Sequence, residues 1–207
     1  MPVAQSAMPL TLPPGRFALC TRRQWLALTL GAGAANALAL PARALQFPRD
    51  HGSHPDLHTE WWYLTGHVHA EGRLWGFQVT FFRSRVDATQ GMQSAFAARQ
   101  LLFAHAALTD IHGQRLHHDQ RIARAGWGLA DAAEGDTHLT LRDWQLHRTG
   151  DVSRSVYRSR IPARAFQLDL RFTQTQPVLL QGDRGLSRKG PDAAQASYYY
   201  SQPQMAV

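Results

Sequence analysis

The chain has 207 residues, 44% hydrophobic and 18% charged, which is enough apolar content for a packed core and excludes wholesale disorder. A single cysteine, Cys20, excludes an internal disulfide framework and any Cys-rich zinc module. The formal charge of +7 comes from 22 basic and 15 acidic residues, with Lys189 the only lysine, and it invites a nucleic-acid reading that the leader then weakens.

Residues 1–44 read as an export signal. Thr21-Arg22-Arg23-Gln24-Trp25-Leu26 precedes an apolar, alanine-rich run from Leu26 to Leu40. Pro41-Ala42-Arg43-Ala44 then places small residues at the two positions a signal peptidase reads. The paired arginines ahead of an aromatic and a leucine resemble a twin-arginine signal, which implies folding before delivery to the periplasm or exterior. The alternative, an anchor helix that stays attached, fits poorly with Gly31, Gly33 and the A-x-A site. Cleavage near Ala44 removes Arg16, Arg22, Arg23, Arg43 and Cys20 but no acidic residue, leaving a cysteine-free chain with a formal charge of about +3. The remaining arginines are scattered among acids, which argues against nucleic acid as a partner. No apolar run beyond the leader is long enough to span a membrane as a helix.

Residues 45–207 read almost wholly as strands. Glu60 to His69 is strand-like and meets the next strand across Ala70-Glu71-Gly72-Arg73. Trp75, Phe77, Val79 and Phe81 then alternate with Gly76, Gln78, Thr80 and Phe82. Leu101 to Thr109 leads into the turn Asp110-Ile111-His112-Gly113. Thr137 to Leu146 and Ser155 to Ile161 flank Thr149-Gly150-Asp151. Phe166, Leu168, Leu170 and Phe172 alternate with polar partners. Gly182 to Pro191 reads as a long surface loop, Ala196 to Ser201 as a strand, and Gln204 to Val207 as the start of another. Recurrent strands without a long 3.6-residue period suggest an antiparallel all-β sandwich or barrel. A final strand without a partner would expose backbone donors and acceptors, so either it closes a barrel or the chain is a truncated product.

The densest chemistry lies between Asp50 and Tyr63. Asp50, His51, His54 and Glu60 fall there with Trp61, Trp62 and Tyr63, at the entrance to the first strand. Alternation places Glu60, Trp62 and Leu64 on one face and Trp61, Tyr63, Thr65, His67 and His69 on the other. A carboxylate beside indole rings loses solvation, so its pKa would rise toward that of a useful proton donor, and the ring faces could stabilise a cation. The plainer reading pairs Glu60 with an arginine at a barrel end and uses Trp61 and Trp62 as core. His67-x-His69 sets two imidazoles on one face, but no third ligand follows at a diagnostic spacing, so no metal site is assigned. Ser53 and Ser197 lack a nucleophile-elbow context. Tyr198 and Tyr200 share a face and could either bind a ligand or fill core.

Asp50-His51-Gly52-Ser53-His54-Pro55, Thr59-Glu60-Trp61-Trp62-Tyr63 with Gly66, and Gly76-Phe77-Gln78-Val79-Thr80-Phe81-Phe82-Arg83 together resemble the start of the AttH/CrtC-like family. Leu180-Gln181-Gly182-Asp183, Gly185 to Gly190 and Ala196 to Ser201 continue the likeness, which runs from about Phe47 to Val207. That family includes carotenoid 1,2-hydratases and secreted hydrolase-like proteins. The resemblance implies a lipocalin-like (calycin) architecture of two β-barrels in tandem, with one barrel and the edge of the second present here. It also implies a hydrophobic, isoprenoid- or lipid-like small molecule, either hydrated without a cofactor by acid catalysis or merely bound. The family's second half carries an Asp-His-Glu-Trp motif that this sequence lacks. Glu60 is the candidate acid. Trp61, Trp62, Tyr63, His67, Phe81, Tyr198 and Tyr200 are candidate ligand contacts, with Asp50, His51 and His54 as motif residues. A third possibility is an inactive fragment of a longer two-barrel protein.

Overall fold

The computed structural model describes residues 39–207; the paired arginines and the apolar run of the leader up to residue 38 lie outside them. Four long strands form a meander: β1 (Thr59–Ala70), β2 (Arg73–Arg85), β3 (Gln100–Asp110) and β4 (Arg115–Arg124), all antiparallel in the order β1-β2-β3-β4. Five shorter strands form a second antiparallel meander: β5 (Ala130–Ala132), β6 (His138–Leu141), β7 (Trp144–Thr149), β8 (Val156–Pro162) and β9 (Gln167–Thr173). The C-terminal part adds two small ladders. β10 (Leu179–Leu180) pairs with β13 (Tyr200–Ser201), and β11 (Leu186–Arg188) pairs with β12 (Ala196–Tyr198).

The all-β antiparallel class is as the sequence predicts. The barrel, however, is not closed, because no hydrogen-bonded ladder joins the two large sheets. They are held by side chains instead. Phe77, Val79 and Phe81 of β2 and Leu102, Ala104 and Ala106 of β3 are buried in one cluster with Leu139, Trp144, Ile161 and Phe172 of the second sheet. Phe77 meets Phe172 edge to face, their centroids 5.7 Å apart. Each strand supplies its alternate residues to this core, as the period of two dictates.

Turn chemistry explains the boundaries, including those that alternation misplaced. Glu71 and Gly72 both take positive φ, a two-residue hairpin that matches the twist of β1 and β2. The expected single strand from Thr137 to Leu146 is broken at Arg142, whose φ of 57° turns β6 back as β7. Its hairpin carries no glycine or proline, and the lone turn residue Asp143 is a weak signal inside an apolar alternation. The expected loop Gly182 to Pro191 contains strand β11. The expected strand Ala196 to Ser201 is split at Tyr199, and the final segment contributes one bridge, Ala206 to Thr173.

Candidate functional site

The segment before β1 is locked onto the first sheet by a chain of charged groups. Arg43 grips Asp50 with both terminal nitrogens at 2.8 Å. Asp50 Oδ1 lies 2.7 Å from His54 Nε2, and His54 Nδ1 lies 2.6 Å from Glu60 Oε1. Glu60 Oε2 then accepts from Arg83 Nε at 2.7 Å and from the His54 backbone N–H at 2.8 Å. Arg83 is 2% exposed and spends its guanidinium fully. Nη1 donates to Gln100 Oε1 and Pro55 O, and Nη2 donates to the carbonyls of His54 and Leu57. A buried guanidinium with every donor satisfied is what low dielectric demands.

This network sets the charge states. Burial alone would raise the Glu60 pKa, but the hydrogen bonds from His54 and the nearby Arg83 outweigh it and hold Glu60 below the ordinary carboxylate range. The proton-donor reading of Glu60, which needs a raised value, is therefore corrected, and the plainer reading, Glu60 paired with an arginine, is met by Arg83. Burial of Asp50 is likewise outweighed by Arg43, the Gln46 N–H and His54, leaving it well below its ordinary value. His54 is raised, chiefly by its bond to Glu60 and further by Asp50, against the cost of burial.

Beside this chain lies a second, neutral cluster. His51 Nδ1 is 3.0 Å from the Tyr200 hydroxyl and 3.5 Å from that of Tyr157, with Phe47 packed on the imidazole at a 4.4 Å centroid distance. Burial, aided by Arg148, pushes His51 down to about 4, and burial pushes both phenols upward. The His51 carbonyl accepts from Trp62 Nε1 and Thr137 Oγ1, so the segment also ties the two sheets together. Gly52 sits so close to the loop after β5 that a Cβ there would collide with the Glu134 carbonyl.

The opposite face of the first sheet is aromatic and open. Register aligns Trp61, Phe82, Phe103 and Ile122 in one row across β1 to β4. Trp61, Phe103 and Ile122 are exposed, and Phe82 stacks on Phe103 at 4.5 Å. The next row holds Tyr63, Thr80, His105 and Gln120, placing an exposed phenol and an exposed imidazole beside the aromatics. Tyr199 reaches Trp61 at 6.1 Å, and the stacked pair Phe96–Trp127 lies beyond, under Arg124. Large exposed apolar patches are uncommon on a protein surface, and here the row is flanked by the buried Thr80 as well as by the exposed Tyr63 and His105.

A family model described as AttH-like matches residues 38–207. The chain belongs to the AttH-like family. A protein from Nitrosomonas europaea described as an AttH, whose crystal structure is known, is similar to it at 46% sequence identity and a TM-score of 0.70, with 81% of this chain covered. The match covers 49% of that chain, so the present sequence spans about half of its relative. No functionally curated protein matches.

Within this AttH-like chain, the sequence candidates separate into distinct environments. Asp50, His54 and Glu60 join the ionic chain, while His51 and Tyr200 join the neutral cluster. Trp62 lines the core beside fully packed Phe81, whereas Trp61, Tyr63 and His67 face outward. Tyr198 stacks with Arg43 at 4.4 Å and donates to the Pro41 carbonyl. Among the described residues, no group of three or more His, Cys, Asp or Glu side chains is placed to hold a metal ion, and no helix is long and apolar enough to cross a membrane. Tyr157, Phe103 and Ile122 were not singled out by sequence reasoning, and Phe82 and Arg83 entered only as part of the strand pattern or the family motif, with no role assigned. The available signal was Phe82, a large apolar residue on the polar phase of an alternating strand.

Proposed function

We propose that this AttH-like chain binds an apolar, isoprenoid- or lipid-like molecule across the outer face of its first sheet. The observation that carries the reading is the row Trp61–Phe82–Phe103–Ile122, four large apolar side chains side by side on a surface that faces solvent. Aromatic faces bury a hydrocarbon without needing a polar partner, and Tyr63 and His105 in the adjoining row supply hydrogen bonds to one polar end. The inter-sheet space is occupied by the protein's own side chains, which favours the outer face over a lumen in this half. The twin-arginine-type leader supports delivery to the periplasm or exterior, with cleavage near Ala44.

Binding is favoured over hydration for a specific reason. Protonating a trisubstituted alkene needs a carboxylic acid of raised pKa, and Glu60 and Asp50 are both held in the opposite direction. The test is a fluorescence titration with a C20 isoprenoid alcohol, comparing wild type with Trp61→Ala and Phe103→Ala. Saturable binding lost in the variants supports the reading, and binding unchanged in both rejects it. Incubation in heavy-oxygen water with mass spectrometry separates the activities: unlabelled ligand means binding alone, and label in the product means hydration.

A further inference from the structure

The outer face of the second sheet has a character unlike the aromatic face and plays no part in the reading above. Register aligns His138, His147, Arg158 and Arg171 in one row across β6 to β9. The neighbouring row places Gln145 opposite Arg160 and Arg160 opposite Asp169. Between these rows lies a depression of about 290 Å³ lined by Gln145, His147, Arg158, Arg160, Gln167 and Asp169.

Its lining consists almost entirely of hydrogen-bond donors. The one carboxylate, Asp169, is already held by Arg158 through two bonds of 2.9 and 2.7 Å. Arg160 and Arg171 have no carboxylate partner among the described residues. His147, which also lines the hollow, is stacked against His138 at 3.9 Å, and its Nε2 is buried without a hydrogen-bond partner. A guanidinium without a carboxylate partner and two side-chain amides around one hollow present donors with no acceptor among them beyond the Asp169 carboxylate that Arg158 holds.

We infer that this hollow binds a phosphate-type oxyanion, with Arg160 as the principal charge, Gln145 and Gln167 as neutral donors, and Arg171 raising the local potential. A tetrahedral oxyanion presents acceptors to several strands at once, which suits donors drawn from β7, β8 and β9. Free phosphate and a phospholipid headgroup share this chemistry.

The experiment uses isothermal titration of the full chain with inorganic phosphate, alongside flotation with phosphatidylcholine vesicles with and without phosphatidic acid. Both are repeated with Arg160→Ala and with Arg160→Ala/Arg171→Ala, exposed positions whose loss leaves the core intact. The expected result is saturable phosphate binding, weakened about tenfold by Arg160→Ala and abolished in the double variant, with the His147 ring resonances shifting on titration of wild type. Capture by phosphatidic acid vesicles alone, lost in the double variant, assigns the site to a lipid headgroup. Binding of neither probe, or equal binding by wild type and double variant, overturns the proposal.

Discussion

Arg83 and Glu60 form a buried ion pair, Nε to Oε2 at 2.7 Å, on the inner face of the first sheet. Removing one partner strands the other without solvent. Glu60→Ala should therefore cost about 3–5 kcal/mol in urea unfolding, the range for breaking a buried pair. Arg83→Lys should cost about 2 kcal/mol, because three ammonium donors cannot replace a five-donor fork. Unfolding midpoints equal to wild type would remove this pair as an anchor.

His51 and His54 give stability opposite pH dependences. His51 is pushed down to about 4 from 6.5, so its contribution is full above the unfolded value and is lost as pH falls from there toward about 4. The loss amounts to about 3 kcal/mol at one pKa unit per 1.36 kcal/mol. His54 is raised, so its contribution is full below the unfolded value near 6.5 and is lost as pH rises through the folded one. These two groups thus favour a stability maximum between weakly acidic and neutral pH. His51→Gln should flatten the acid limb and His54→Gln the alkaline limb of a plot of urea midpoint against pH. A wild-type profile without those limbs would contradict the assignment.

Gly52→Ala should be strongly destabilising. The added methyl meets the backbone carbonyl of Glu134, which cannot rotate away as a side chain would. Relief requires separating the segment from the loop after β5, where the Ser53 N–H donates to Ala133 and Arg49 to Glu134. A loss of about 2–3 kcal/mol is expected from overpacking at a site without slack. A thermal midpoint within a degree of wild type would sink this account.

Phe81 and Trp61 should respond in opposite ways. Phe81 is 1% exposed in the core, so Phe81→Ala should cost about 3–5 kcal/mol. Trp61 is 38% exposed on the outer face, so Trp61→Ala should cost less than about 1 kcal/mol while weakening binding of the apolar probe. Comparable losses of stability in both variants would mean that the outer face is structural.

Alternation made the faces of β1, β2 and β9 readable, because one residue in two must point inward wherever one side is buried. Alternation put Glu60, Trp62 and Leu64 on one face and Trp61, Tyr63 and His67 on the other, and the structure shows the first set facing in; which set is interior was not legible locally, and Trp61, which the plainer reading used as core, faces out. The clustering of Asp50, His54 and Glu60 was legible from proximity along the chain. The partner that decides Glu60's charge was not, because Arg83 reaches it only through the register of β1 against β2. The aromatic row was hidden for the same reason: Trp61, Phe82, Phe103 and Ile122 come from four strands, and no local window holds more than one or two of them. The Arg142 turn was missed because a non-glycine residue there takes positive φ.

Arg43 stands within the segment that export would remove, yet it is the counter-ion of Asp50, whose side chain is 4% exposed. A cut after Ala44 would exchange that guanidinium for a new ammonium group on Leu45, next to Gln46, whose N–H already bonds the same carboxylate. Maturation would then be written into the folded protein as a change of counter-ion. The uncut form, with the stronger clamp on Asp50, would keep that carboxylate ionised further into acid, so precursor and product would differ in acid tolerance while sharing one fold.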